Sequence, residues 1–155
     1  VRRTGAVVLI PEFQRPPLVR CGQPGDPVSQ CLQLYRTLLS LYGPAGIVLM
    51  GDSAGANLAM AVLFAAQAEG MPPCAGLVLI CPWADTSEAA GYDSTRSSNA
   101  GNDFIPEALV SRFADEYASA AMRDTPLASP LLAPQDWFAK LPPVFLTYGS
   151  HEILC

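Results

Sequence analysis

Ser53 is the residue of this chain best placed for chemistry. It is the centre of Gly51-Asp52-Ser53-Ala54-Gly55, between the apolar run Ile47-Val48-Leu49-Met50 and a segment of alanine and leucine-type residues. A strand that turns sharply into a helix through G-x-S-x-G holds the serine hydroxyl up at the end of a sheet. The flanking glycines are expected to have a steric reason, since a tight turn leaves little room for Cβ atoms beside the serine. At the start of the helix, free backbone N–H groups and the helix dipole favour a developing negative charge. The N–H of Ala54 is therefore the expected half of an oxyanion hole. The pentapeptide alone recurs by chance in about one chain of this size in twenty, so the strand before it and the helix after it carry the reading. The competing interpretation is a structural turn whose serine caps the helix.

A serine hydroxyl is a poor nucleophile until a base removes its proton, and the base must be oriented by a third group. Glu152, just past the last apolar run, is the candidate acid; its alternative is a solvated loop carboxylate. Asp85 is a fallback acid that reads better as a turn former after Trp83. His151 is the single histidine. An imidazole is a side chain able to act as a base, but His151 is the neighbour of Glu152, and adjacent turn residues point different ways. His151 is therefore read as a surface loop residue, which leaves the base position empty.

The elements that must position these groups follow from pattern. Gly5-Ala6-Val7-Val8-Leu9-Ile10, ended by Pro11, reads as a strand buried on both faces. Residues 12–27 are rich in Pro, Gly and Arg and form a loop. Asp26-Pro27 starts a helix, with Val28, Cys31, Leu32, Tyr35, Leu38, Leu39 and Tyr42 at helical spacing, ended by Gly43-Pro44. Residues 54–69 predict a helix apolar nearly all round, hence buried. Gly76 to Cys81 and Val144 to Tyr148 are further strands, with Cys81 packing as a small hydrophobe. Between them lie a polar excursion over 83–105, a helix opened by Pro106 with Leu109, Val110, Phe113 and Tyr117 on one face, and a proline-punctuated stretch over 122–143. Four apolar runs alternating with helices predict a parallel α/β sheet in one domain, 1–155.

Composition narrows the partners. The 155 residues are 50% apolar and 15% charged with a net charge of −5, which disfavours a nucleic-acid surface. No stretch is long enough to span a bilayer. The five cysteines, Cys21, Cys31, Cys74, Cys81 and Cys155, contain no C-x-x-C pair, so zinc is not expected and a reducing, cytoplasmic compartment is.

Several stretches together resemble the hormone-sensitive-lipase-like α/β-hydrolases. Residues 51–59 resemble that group's elbow, with Ala56 where a further glycine is usual. Cys81-Pro82-Trp83-Ala84-Asp85-Thr86-Ser87 resembles its Ser-Pro-Trp-x-Asp-x-Ser/Thr segment. Ser129-Pro130-Leu131 and Leu141-Pro142-Pro143 resemble its approach to the last strand. Gly149-Ser150-His151-Glu152-Ile153-Leu154 resembles its acid-bearing Gly-x-x-Asp-x-Leu turn. Glu12 to Pro17 is similar to a degraded Asp/Glu-Tyr-Arg-Leu-Ala-Pro stretch, with Gln14 for arginine.

The resemblance implies a partial α/β-hydrolase fold, a parallel sheet with helices on both faces, in which 86–120 contributes to a cap over the acyl pocket. Phe104, Phe113 and Tyr117 are its candidate lining residues. It implies a serine carboxylic-ester hydrolase working through an acyl-enzyme on a small-molecule ester, without cofactor or metal. Ser53 would be the nucleophile, Glu152 the acid and Ala54 the oxyanion donor. The upstream His-Gly-Gly-type oxyanion loop and the downstream histidine have no counterpart in these residues. The chain is thus expected to be a fragment, weakly active or inactive, and poorly soluble through exposed strand edges. The alternatives are a non-catalytic ligand-binding protein, as in the gibberellin receptors that resemble this group, or a pseudogene product.

Overall fold

The computed structural model describes residues 5–87 and 98–154. Three parallel strands, β1 (Val48–Asp52), β2 (Gly76–Ile80) and β3 (Val144–Thr147), pair in the order β1-β2-β3. Helix α1 (Pro27–Tyr42) precedes β1, α2 (Ala54–Ala68) joins β1 to β2, and α3 (Glu107–Tyr117) lies between β2 and β3. Single helical turns at Ala120–Arg123, Pro130–Leu132 and Gln135–Phe138 fill the proline-punctuated stretch. Among the described residues, no helix is long and apolar enough to cross a membrane.

Local chemistry explains most boundaries. Asp26 caps α1 by accepting from the Ser29 N–H at 2.7 Å, and its second oxygen accepts from the Gly22 N–H at 2.7 Å. Pro27 takes the first helical position, where no N–H is needed. Gly43 ends the helix at φ 67, a conformation open to glycine without strain. Along α1 the buried stripe is Val28, Leu32 and Tyr35, which pack in one core with α2.

Helix α2 is buried through most of its length, as its uniform apolarity predicts. It lies on β1 and β2, above Leu77 and Leu79, with α1 along its flank. Phe64, fully buried, meets the rings of Trp137 and Phe138 at centroid distances of 5.5 Å. Burying a side chain of this size contributes about 1.5–3 kcal/mol, so α2 is the centre of the core.

Two expectations are overturned. Residues 5–10 form no strand, and Val7 and Ile10 are 84% and 85% exposed. An apolar run becomes a buried strand only where a neighbouring ladder and two covering layers exist, and the three-stranded sheet, uncovered on the face opposite α2, does not offer both layers. The described sheet therefore has three strands, not four. Its face opposite α2, bearing Val48 and Met50, is open, and all four residues of β3 are exposed.

Of the segment 86–120, residues 88–97 lie outside the described residues, as does Cys155. The rest is attached to the body: Val110 and Ala114 of α3 pack with Trp83 and Ile153 in a small second core.

Two phenols, Tyr35 buried and Tyr117 partly buried, make the fold sensitive to alkali. The Tyr35 hydroxyl donates to the Pro72 carbonyl at 2.9 Å, and its pKa is pushed up to about 12, by burial first and by nearby Cys74 second. Burial likewise raises the pKa of Tyr117, with Cys21 adding to it. Both folded-state values lie above the ordinary 10.0, so their stabilisation is complete below pH 10 and is lost as pH rises towards 12. Urea midpoints should fall across that interval together with the appearance of tyrosinate absorbance.

Candidate active site

The carboxyl ends of the strands are in register. Asp52 pairs with Ile80, and Ile80 with Thr147. Ser53, Cys81 and Tyr148 are thus the first residues beyond each strand, at the edge where open parallel sheets place their ligand sites.

Ser53 has φ 54 and ψ −118. An L-residue occupies that region at a cost of about 1–3 kcal/mol, and the surroundings hold it there. Its N–H donates to the Ile80 carbonyl at 2.9 Å. Its carbonyl accepts from the N–H groups of Ala56, Asn57 and Trp83 at 3.0, 3.2 and 3.2 Å. Although Ser53 precedes the first helical residue, its side chain makes no capping hydrogen bond. Ser53 is half-buried, and the Ala54 N–H next to it donates to no group among the described residues.

The two motif glycines differ. A Cβ on Gly51 would stand 2.1 Å from the Gly55 carbonyl oxygen and 2.4 Å from the Ala56 nitrogen. A Cβ on Gly55 would meet nothing within 4 Å. The steric reason expected for both flanking glycines applies to Gly51 alone, because only Gly51 lies under the first turn of α2.

Asn57 is a site-supporting residue that pattern reading passed over. It is 2% exposed, and its amide nitrogen donates to the carbonyls of Trp83 and Ala128, both at 2.8 Å. Its amide oxygen accepts from the Tyr117 hydroxyl at 3.3 Å. It thereby ties the elbow helix to the loop after β2 and to the segment before Ser129. Asn57→Ala leaves the Trp83 carbonyl without a donor and the Ala128 carbonyl with only the Thr86 hydroxyl at 3.3 Å, and should cost about 2–3 kcal/mol in a urea titration.

Glu152 sits on the turn after β3, its N–H donating to the Gly149 carbonyl at 3.2 Å. Residues from beyond β2 clamp this turn. The Asn99 amide donates to the carbonyls of Glu152 at 2.9 Å and Ser150 at 3.3 Å, and the Asp103 carboxylate accepts from the Ile153 N–H at 2.7 Å. The Cys81 thiol donates to Glu152 Oε1 at 2.9 Å. Cys81 is half-exposed and hydrogen-bonded, not the inert hydrophobe its apolar run implies.

Ser53 and Glu152 make no hydrogen bond to each other among the described residues. The ring of His151 is exposed and meets only the adjacent Ser150 hydroxyl, at 3.1 Å from Nδ1. Asp85 is buried and accepts from the Ser87 N–H at 2.8 Å, a local turn that occupies one carboxylate oxygen.

A hollow of about 230 Å³ opens beside Glu152, with Cys81, Ala84, Leu146 and Tyr148 among its walls. The aromatic residues expected to line an acyl pocket are elsewhere. Phe104 is 93% and Phe113 47% exposed, and Tyr117 turns inwards to Asn57. Helical spacing placed Leu109, Val110, Phe113 and Tyr117 on one face of α3; Val110 is buried there together with Ala114, whereas Leu109 and Phe113 are exposed.

The parallel sheet, the sharp strand-to-helix turn at Ser53, the buried helix that follows it and the turn bearing Glu152 have the arrangement of an α/β-hydrolase fold. A family model described as alpha/beta hydrolase fold matches residues 1–155, and the chain belongs to that family, in its hormone-sensitive-lipase-like group. An acetyl-hydrolase of Streptomyces hygroscopicus is 38% identical over 151 residues, 97% of this chain and 48% of that protein. An esterase of Acinetobacter venetianus is 32% identical over 136 residues, 83% of this chain and 42% of that protein. Among solved structures, an esterase of the bacterial hormone-sensitive lipase family is 33% identical with a TM-score of 0.78, covering 92% of this chain and 46% of that one. The chain spans about half the length of the curated relatives it matches.

Proposed function

We propose that these residues carry the nucleophile and acid of a serine carboxylic-ester hydrolase acting on small-molecule esters. The supporting observation is the backbone of Ser53, held at φ 54 by a turn whose serine does no capping. A strained conformation whose side chain caps nothing and whose hydroxyl stands beside a free helix N-terminus has its physical rationale in nucleophilic attack.

In this reading Ser53 Oγ attacks the ester carbonyl carbon and passes its proton to a base. The Ala54 N–H stabilises the oxyanion, and the C–O bond to the alcohol breaks as the base protonates the leaving oxygen. Water, deprotonated by the same base, then attacks the acyl carbon, releasing the carboxylic acid and regenerating Ser53. Glu152 orients the base. Two strand spacings, about 10 Å, lie between the strand ends that carry Ser53 and the Glu152 turn, room for one imidazole hydrogen-bonded on both sides. With His151 turned to solvent, the base is a histidine from outside these 155 residues. Residues 1–155 alone are accordingly inactive.

Hydrolysis of p-nitrophenyl acetate tests both parts. The 155-residue chain should not exceed its own Ser53→Ala variant. A longer form carrying a histidine within reach of Glu152 should turn over, and Ser53→Ala should abolish that turnover. A soluble 155-residue monomer with Ser53-dependent turnover would overturn the proposal that the base lies elsewhere.

A further inference from the structure

We infer that Cys81 is a positioning residue for Glu152: its thiol holds Oε1 so that Oε2 is left to orient the base. This rests on Glu152 being the acid of the proposed reaction. A glutamate has one more rotatable bond than an aspartate, and fixing such a side chain costs up to about 2 kcal/mol of rotamer entropy. An acid that orients an imidazole must be held closely, so a longer acid needs a tether.

The tether is built from both sides. Cys81 follows β2 directly, and its N–H donates to the Thr147 carbonyl at 2.8 Å, which docks it against the end of β3. Its φ of 46 is one of two positive values among the non-glycine described residues, the other being that of Ser53. The Sγ to Oε1 distance is 2.9 Å, and Oε2 accepts no hydrogen bond among the described residues. On the other side the carboxylate lies over Gly149, where a Cβ would stand 2.9 Å from Oε1 and 3.3 Å from Cδ. Thiol and glycine together confine one oxygen and leave the other open beside the hollow. Glu152 chiefly, through that hydrogen bond, with burial second, pushes the Cys81 pKa up to about 11, so the group remains an S–H donor at neutral pH.

The first measurement is Cys81 alkylation by iodoacetamide against pH, read at the Cys81 peptide by mass spectrometry. The half-maximal rate should lie near pH 11 in the native chain and move towards the ordinary 9.0 in Glu152→Gln. An unchanged midpoint would overturn the inference and leave the role of Ser53 untouched. The second uses the form of the protein that hydrolyses p-nitrophenyl acetate. Cys81→Ala should lower kcat about tenfold at unchanged KM, with Cys81→Ser restoring it to within about threefold. Equal kcat in all three would also overturn the inference. Turnover indifferent to Ser53→Ala would instead overturn the catalytic reading, while the thiol midpoint still reports the contact.

Discussion

Gly51→Ala should leave the chain unable to reach its folded state under conditions where the parent is folded, a loss of at least about 4 kcal/mol. The new methyl carbon would stand 2.1 Å from the Gly55 oxygen and 2.3 Å from its carbonyl carbon. Those are backbone atoms in the first turn of α2, the most buried helix of the molecule, and they cannot move without unseating it from β1 and β2. Gly55→Ala is the internal control. Nothing lies within 4 Å of its Cβ position, and the residue is helical, so alanine should stabilise by up to about 1 kcal/mol. Urea denaturation followed by far-UV dichroism reads both. A Gly51→Ala chain within 1 kcal/mol of the parent would mean that the strand and helix do not approach as described.

Ser53 should separate activity from stability. In a hydrolytically active form, Ser53→Ala and Ser53→Gly should each lower kcat/KM by about 10⁴–10⁶, the range found when a triad nucleophile is removed. Their stabilities should differ. Alanine inherits the strain of φ 54, whereas glycine adopts it freely and, after its larger unfolded-state entropy is offset, should gain about 1 kcal/mol. The expected order is Gly above Ser and Ala in stability, with both variants inactive. A glycine variant no more stable than the parent would remove the strain account, and a turning-over alanine variant would remove the nucleophile.

Under the proposed function, stability and chemistry oppose each other at this turn. Ser53 and Cys81 carry the positive φ values found among the non-glycine described residues, and each stands immediately past a strand at the carboxyl edge of the sheet. The surrounding hydrogen bonds hold them there. The three donors on the Ser53 carbonyl and the Asn57 amide between Trp83 and Ala128 over-determine the geometry of the elbow.

How much of this was written in the sequence depends on the range of the interaction. The Asp26 cap, the Gly43 stop, the apolar α2 and the strand-turn-helix around Ser53 depend on groups within a few residues of one another, so pattern and propensity specify them. The family motifs likewise marked the turn that bears Glu152 and the strand-to-helix turn at Ser53, both of which are present as turns. Val7 to Ile10 carry the same apolar signal as the three strands yet form none. Hydrophobicity records a gain on burial, not whether a partner exists to provide it. Gly51 and Gly55 are equivalent in the motif, and only the path of α2 over β1 makes one indispensable. The contact of Cys81 with Glu152 joins residues 71 apart, and that of Asn57 with Ala128 again spans 71 positions. Such contacts leave no local trace, because strand pairing, not spacing along the chain, brings their elements together. The sequence by itself determined the candidate residues and the local elements that bear them; the tertiary structure decided which side chains touch those residues, because such contacts depend on how distant elements pack.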